Sequence, residues 1–143
     1  MTPTDRPAIG TVTPYLCVRN ARGAIEFYRR AFDAAETMRL EDERGRVSHC
    51  ELRIGSGRIY LADEFPEQGI VGPQTLGGTP VIVYLDVSDV AGLAERLLAL
   101  GATLVRPIEI PESGLQTAKV RDPYGHVWLL TRFAGSAEDD AIE

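Results

Sequence analysis

Tyr15-Leu-Cys-Val-Arg-Asn20 returns, degenerate, as Tyr84-Leu-Asp-Val-Ser-Asp89, 69 residues later (84 − 15), and a helical pattern follows each copy. A chain carrying one strand-then-helix unit twice reads as a tandem repeat of a supersecondary module. Outward from the first copy, Val12, Leu16 and Val18 alternate with Thr13, Tyr15 and Cys17, which predicts a strand from Thr11 to Val18. Asn20 is a good N-cap. Ala24, Ile25, Tyr28, Ala31 and Phe32 then recur at helical spacing, and Asp33 stands where left-handed geometry is wanted. Three strands are expected next: Glu36 to Leu40, Val47 to Ile54, and Arg58 to Ala62 after the tight turn Gly55-Ser-Gly57.

The second copy repeats the order. Val81 to Val87 reads as a strand, Ser88 or Asp89 as a cap, and Val90, Leu93, Leu97, Leu98 and Leu100 as one helix side, stopped at Gly101. Strands follow at about Thr103 to Arg106, Thr117 to Arg121 and His126 to Arg132, with Asp122-Pro-Tyr-Gly125 as a β-turn. The helix ends lie 68 residues apart (101 − 33), so one residue has slipped between copies. The expected fold is α+β: two βαβββ modules over residues 9–63 and 80–133. They are flanked by an N-terminal tail (1–8) and an acidic, disordered tail (134–143). A linker rich in Gly, Pro and Gln (64–79) joins them; it can cross the sheet, cover a cleft, or let modules exchange between chains.

Composition narrows the function. A hydrophobic fraction of 44% and a charged fraction of 25% are those of a soluble globular domain. There is no apolar run of membrane-spanning length and no secretory h-region in Met1-Thr-Pro-Thr-Asp-Arg-Pro7, so the expected location is the cytoplasm. A net charge of −6 without a basic block argues against nucleic acid and membrane partners. Cys17 and Cys50 fall inside expected strands with no CxxC and read as reduced core thiols. Asp63 and Glu64, at a strand end beside the linker, read as solvated.

Six stretches taken in order carry a family resemblance: Val12-Thr-Pro-Tyr-Leu16, Ala24-Ile-Glu-Phe-Tyr28, Gly45 to Ile54, Leu61-Ala-Asp-Glu64, Thr75-Leu-Gly-Gly78 and Asp122-Pro-Tyr-Gly-His-Val-Trp128. Together they resemble the vicinal oxygen chelate superfamily, which holds glyoxalases, bleomycin-resistance proteins and extradiol dioxygenases, and within it the PhnB-like branch. The resemblance implies paired βαβββ modules in a curved mixed sheet around a cleft, helices outside, and a homodimer. It also implies four inward metal-ligand positions, which fall here on Thr13, Tyr60, Ile82 and Leu129. None is a usual divalent-metal ligand. This departure weighs against lyase, isomerase and dioxygenase chemistry and implies no metal or other cofactor.

If Thr13 and Leu129 face inward, period two turns Tyr15, Cys17, Val127 and Thr131 inward too, and the cavity also gains Tyr60, Ile82 and Tyr84. Leu16, Val18, Trp128 and Leu130 then pack under the helices. Such a lining suits a flat, moderately apolar small molecule. His49, Glu51 and Arg53 share one strand face; they are candidates for gripping a polar ligand end or, for His49 and Glu51, for acid–base work. His126, after the turn, reads as a turn residue. No GxSxG, HExxH, phosphate loop or dinucleotide fingerprint is present. The leading expectation is a metal-free, bleomycin-resistance-like protein that sequesters an aromatic or amphipathic compound. The rivals are an enzyme of the same fold, metal-dependent or cofactorless through His49 and Glu51, and a degenerate regulatory or partner module.

Overall fold

The computed structural model describes residues 6–109 and 114–133; the acidic tail expected over 134–143 lies outside them. In chain order come β1 (Tyr15–Val18), α1 (Ala21–Phe32), β2 (Ala35–Glu41), β3 (Val47–Ile54) and β4 (Gly57–Asp63). A 3-10 turn (Pro66–Gln68) and the short α2 (Pro73–Leu76) follow. The second module is β5 (Ile82–Asp86), α3 (Val90–Ala99), β6 (Thr103–Glu109), β7 (Leu115–Arg121) and β8 (Val127–Phe133). The strands form two four-stranded mixed sheets, ordered β1-β4-β3-β2 and β5-β8-β7-β6. No helix among the described residues is long and apolar enough to cross a membrane.

The repeat holds in register. Tyr15 lies opposite Tyr60 across the parallel β1/β4 pair, and Tyr84 opposite Leu129 across β5/β8. Both members shift by 69 residues (84 − 15; 129 − 60). The caps repeat as well. The Asn20 side chain accepts from the Gly23 amide at 3.1 Å, and Asp89 from the Gly92 amide at 2.9 Å. A Cβ on Gly23 would stand 2.7 Å from the Asn20 amide nitrogen and from the Tyr124 hydroxyl, so a larger residue there would displace both side chains. Asp33 ends α1 with φ 54, the left-handed conformation its position called for.

Two boundaries differ from the sequence reading by three residues or more. β1 starts at Tyr15 rather than Thr11, because Pro14 has no amide to give the ladder and only its carbonyl engages, accepting from the Tyr60 amide at 2.9 Å. Thr13 therefore precedes the strand and is half-buried. β6 runs on through Pro107 to Glu109, which an edge strand tolerates.

One continuous core joins the modules. Leu16, Val18, Ile25, Tyr28, Leu61, Leu97, Trp128 and Leu130 belong to it, each at most 4% exposed. Tyr28 and Phe32 of α1 reach Trp128 of the second module, with ring centroids 5.6 and 4.7 Å away. Each fully buried large side chain contributes about 1.5–3 kcal/mol of transfer free energy. The linker is docked on this junction. A Cβ on Gly72 would stand 2.5 Å from the Cys17 carbonyl oxygen, and one on Gly125 would stand 2.7 Å from Pro73 Cβ. Asp63 and Glu64 are not solvated as expected. Asp63 accepts from the amides of Ala21 and Val47, both at 2.7 Å, tying the starts of α1 and β3 to the end of β4.

Candidate functional site

Each sheet turns one face to the helices and leaves the other open. Cys50, Leu52, Leu61, Val120, Trp128 and Leu130 are buried on the helix side, while Tyr15 and Tyr84 on the open side are each 54% exposed. The strand register sets the rungs of the open faces. On the first sheet one rung runs Tyr15, Tyr60, Glu51, Met38. The equivalent rung on the second runs Tyr84, Leu129, Lys119, Arg106.

Tyr15, His49, Glu51 and Tyr60 are brought together on the first face. The Tyr15 hydroxyl and His49 Nδ1 are 2.6 Å apart, and His49 Nε2 and a Glu51 carboxylate oxygen are 2.8 Å apart. A carboxylate only accepts, so in the neutral imidazole Nε2 carries the proton and Nδ1 accepts from the phenol. The result is a hydrogen-bonded chain from Tyr15 through His49 to Glu51. The three rings are in mutual contact: Tyr15–His49 at 5.4 Å, Tyr15–Tyr60 at 5.9 Å and His49–Tyr60 at 5.0 Å between centroids. Partial burial raises the Tyr15 phenol above its ordinary pKa, with nearby Cys50, Cys17 and Glu51 adding to it.

Cys17 sits one rung further, half-buried, its thiol pushed up to about 11 by burial and then by Glu64 and Asp63. Arg53 shares the first face one rung from Glu51, directly opposite Arg58 of β4. Ile82, Tyr84 and Leu129 lie on the second face, and among the described residues no hydrogen bond or ring contact joins them to the first. Val127 and Thr131, expected beside Leu129 in the cleft, are 8% and 1% exposed. A cavity of about 660 Å³ lies elsewhere, between the end of α1, the Gly55–Gly57 hairpin, the end of β5 and the start of α3; of the expected binding residues only Tyr84 lines it.

The four positions that the resemblance gives to metal ligands offer a divalent ion one alcohol, one phenol and two hydrocarbon side chains. That donor set does not fit. His49 and Glu51 engage each other, and no group of three or more His, Cys, Asp or Glu among the described residues is placed to hold a metal ion. His126 is structural: it is 9% exposed and its Nε2 lies 2.9 Å from the Cys17 carbonyl, across the module junction.

Sequence reading passed over Arg58, Arg106 and Lys119. The available signal was alternation along β4, β6 and β7, but it needed the cross-strand register to show which cations stand opposite each other.

Comparison with known proteins agrees with this architecture. The profile described as Glyoxalase/Bleomycin resistance protein/Dioxygenase superfamily matches residues 8–130. An uncharacterized protein of Mycobacterium bovis is 37% identical over 135 residues, covering 92% of this chain and 89% of its own. Among solved structures, a gene product of Arabidopsis thaliana superposes with a TM-score of 0.71 at 23% identity, covering 87% of this chain and 100% of its own. TioX from Micromonospora sp. ML1 superposes with a TM-score of 0.66 at 28% identity, covering 87% and 99%. The fosfomycin resistance protein FosX of Listeria monocytogenes, in a complex with Mn(II) and 1S,2S-dihydroxypropylphosphonic acid, gives 0.66 at 19% identity, covering 94% and 99%. With its two βαβββ modules and this match along nearly its whole length, the chain belongs to the glyoxalase/bleomycin resistance protein/dioxygenase superfamily.

Proposed function

We propose that the two open sheet faces are halves of a binding site for a small molecule with an aromatic or amphipathic body, held without a metal and sequestered without chemistry. The observation that supports this most is the Tyr15, His49, Tyr60 ring cluster, three rings in contact on a face open to solvent. Such rings give large contact area with polar tips at little entropic cost. Neither face encloses a ligand alone. The reading therefore includes a twofold homodimer in which a second copy closes each face, and reduced thiols at Cys17 and Cys50 suit a cytoplasmic protein. A thermal-shift screen of aromatic natural products tests it, with sedimentation at micromolar concentration run in parallel. Hits whose affinity falls in Tyr60→Ala and Leu129→Glu are expected; hits indifferent to both changes would move the site elsewhere.

A second reading, cofactorless acid–base catalysis, is favoured by the Tyr15–His49–Glu51 chain. A ligand proton would pass to the Tyr15 oxygen as the phenol proton passes to His49 Nδ1, leaving an imidazolium held by the Glu51 carboxylate. Proton NMR of a bound hit in D2O separates the two readings. A sequestered compound keeps its C–H protons, whereas a substrate exchanges one and stops doing so in His49→Gln.

A further inference from the structure

The chain is acidic, and many of its arginines away from the open faces are paired. Arg22 meets Glu41 at 2.6 Å, Arg39 meets Glu36 at 2.8 Å and Arg46 meets Asp42 at 2.8 Å. The open faces set cation against cation. Arg53 of β3 stands directly opposite Arg58 of β4 on the first face, and Lys119 of β7 directly opposite Arg106 of β6 on the second. Among the residues whose side chains are described, none of these four has a carboxylate at ion-pair distance, and Glu109 of β6 takes the next register position, opposite Thr117. Glu51, the carboxylate one rung from Arg53, is already engaged by His49 at 2.8 Å.

Like charges directly opposite each other destabilise a sheet. In a protein of net charge −6, carboxylate partners are plentiful, yet among the residues whose side chains are described neither pair has one. An anion between two cationic side chains removes the repulsion and accepts charge-assisted hydrogen bonds from both. The apolar surface is adjacent in each case. Arg58 lies two residues from Tyr60 on the same face of β4, and Lys119 lies opposite Leu129, in the rung of Tyr84.

We infer that the open faces take an organic anion, its carboxylate or phosphate held by Arg53 with Arg58 and by Arg106 with Lys119, and its flat body lying on Tyr60 and Leu129. This rests on the binding reading above and adds the charge class of the ligand. The test compares 1-naphthoate and 1-naphthyl phosphate with neutral 1-naphthamide by fluorescence titration at low and high salt. It uses the full chain, Tyr60→Ala, and the double variants R53Q/R58Q and R106Q/K119Q.

The anions should bind at least 10-fold tighter than the amide, weaken with salt, and lose most of that preference in the double variants. Because each double variant removes a repulsion, its unfolding temperature should equal or exceed that of the parent. Equal binding of acid and amide, both sensitive to Tyr60→Ala, overturns the inference and leaves the binding reading standing. An anion preference that survives both double variants overturns the residue assignment. A drop of several degrees in unfolding temperature shows that the cations have structural partners and overturns it as well. Absence of binding by all three probes counts against the binding reading, and the inference falls with it.

Discussion

Tyr28 of α1 donates its hydroxyl to the carboxylate of Asp122, 94 positions further along the chain, where Tyr28 is fully buried and Asp122 is 3% exposed. The same carboxylate accepts from Trp128 Nε1 at 2.9 Å and from the amides of Tyr124 and His126 at 2.9 and 3.0 Å. One side chain of the Asp-Pro-Tyr-Gly turn thus shapes that turn, orients the core tryptophan and ties the first module's helix to the second module.

Asp122→Asn is expected to lose about 2–4 kcal/mol of stability, because the amide nitrogen cannot accept and faces buried donors. Tyr28→Phe, which leaves Asp122 its other three donors, should cost about 1–2 kcal/mol. Urea unfolding of both variants checks this. A loss below about 0.5 kcal/mol for Asp122→Asn would show that the junction does not depend on this carboxylate.

Glu64 carries a pH dependence. Its carboxylate accepts from the Thr75 hydroxyl at 2.6 Å and the Gly72 amide at 2.7 Å, and these bonds hold its pKa below the ordinary value. A depressed carboxyl contributes stability fully above its unfolded pKa, about 4.3, and loses it as pH falls through the lower folded value. Glu64→Gln should therefore cost about 1 kcal/mol at pH 7 and less at pH 3. Urea midpoints at the two pH values decide it; an unchanged gap at pH 3 would show that ionisation is not the source.

Both thiols should be sluggish. Burial pushes Cys17 and Cys50 up to about 11, so at pH 8 the thiolate fraction is roughly 100-fold below that of a free thiol of pKa about 9. Iodoacetamide labelling followed by mass spectrometry should show Cys17 reacting slowly and Cys50, fully buried, only on unfolding. Rapid alkylation of Cys17 in the native protein would contradict this environment.

Gly72→Ala is expected to destabilise by about 1–3 kcal/mol, since the added methyl would push on the Cys17 carbonyl and lift the linker from β1. The cost comes from close approach, because Gly72 has φ −101, which any residue adopts. Gly10→Ala, whose Cβ would meet nothing within 4 Å, is the control and should change stability by less than about 0.5 kcal/mol. Equal thermal unfolding of the two variants would refute the linker's role as a clamp.

What the sequence by itself determined is what repeats along the chain. Tyr15 and Tyr84 announced two copies of one module, and period two separated Leu16, Val18, Trp128 and Leu130, now core, from Tyr15 and Tyr84, now open. The spacing of Asn20 from its helix placed the first cap and narrowed the second to Ser88 or Asp89, of which the structure uses Asp89. These are local signals, carried by neighbours a few residues apart, and they survive without any knowledge of tertiary contacts.

Only the tertiary structure decided which distant side chains meet. That Tyr15 bonds His49, that Arg53 opposes Arg58, and that Asp63 and Asp122 are joints rather than solvated charges all depend on strand order and register. A carboxylate at a strand end looks the same in sequence whether it meets water or two backbone amides. The difference lies in partners that the chain brings from elsewhere, and a one-residue slip in register would have turned every one of those faces over.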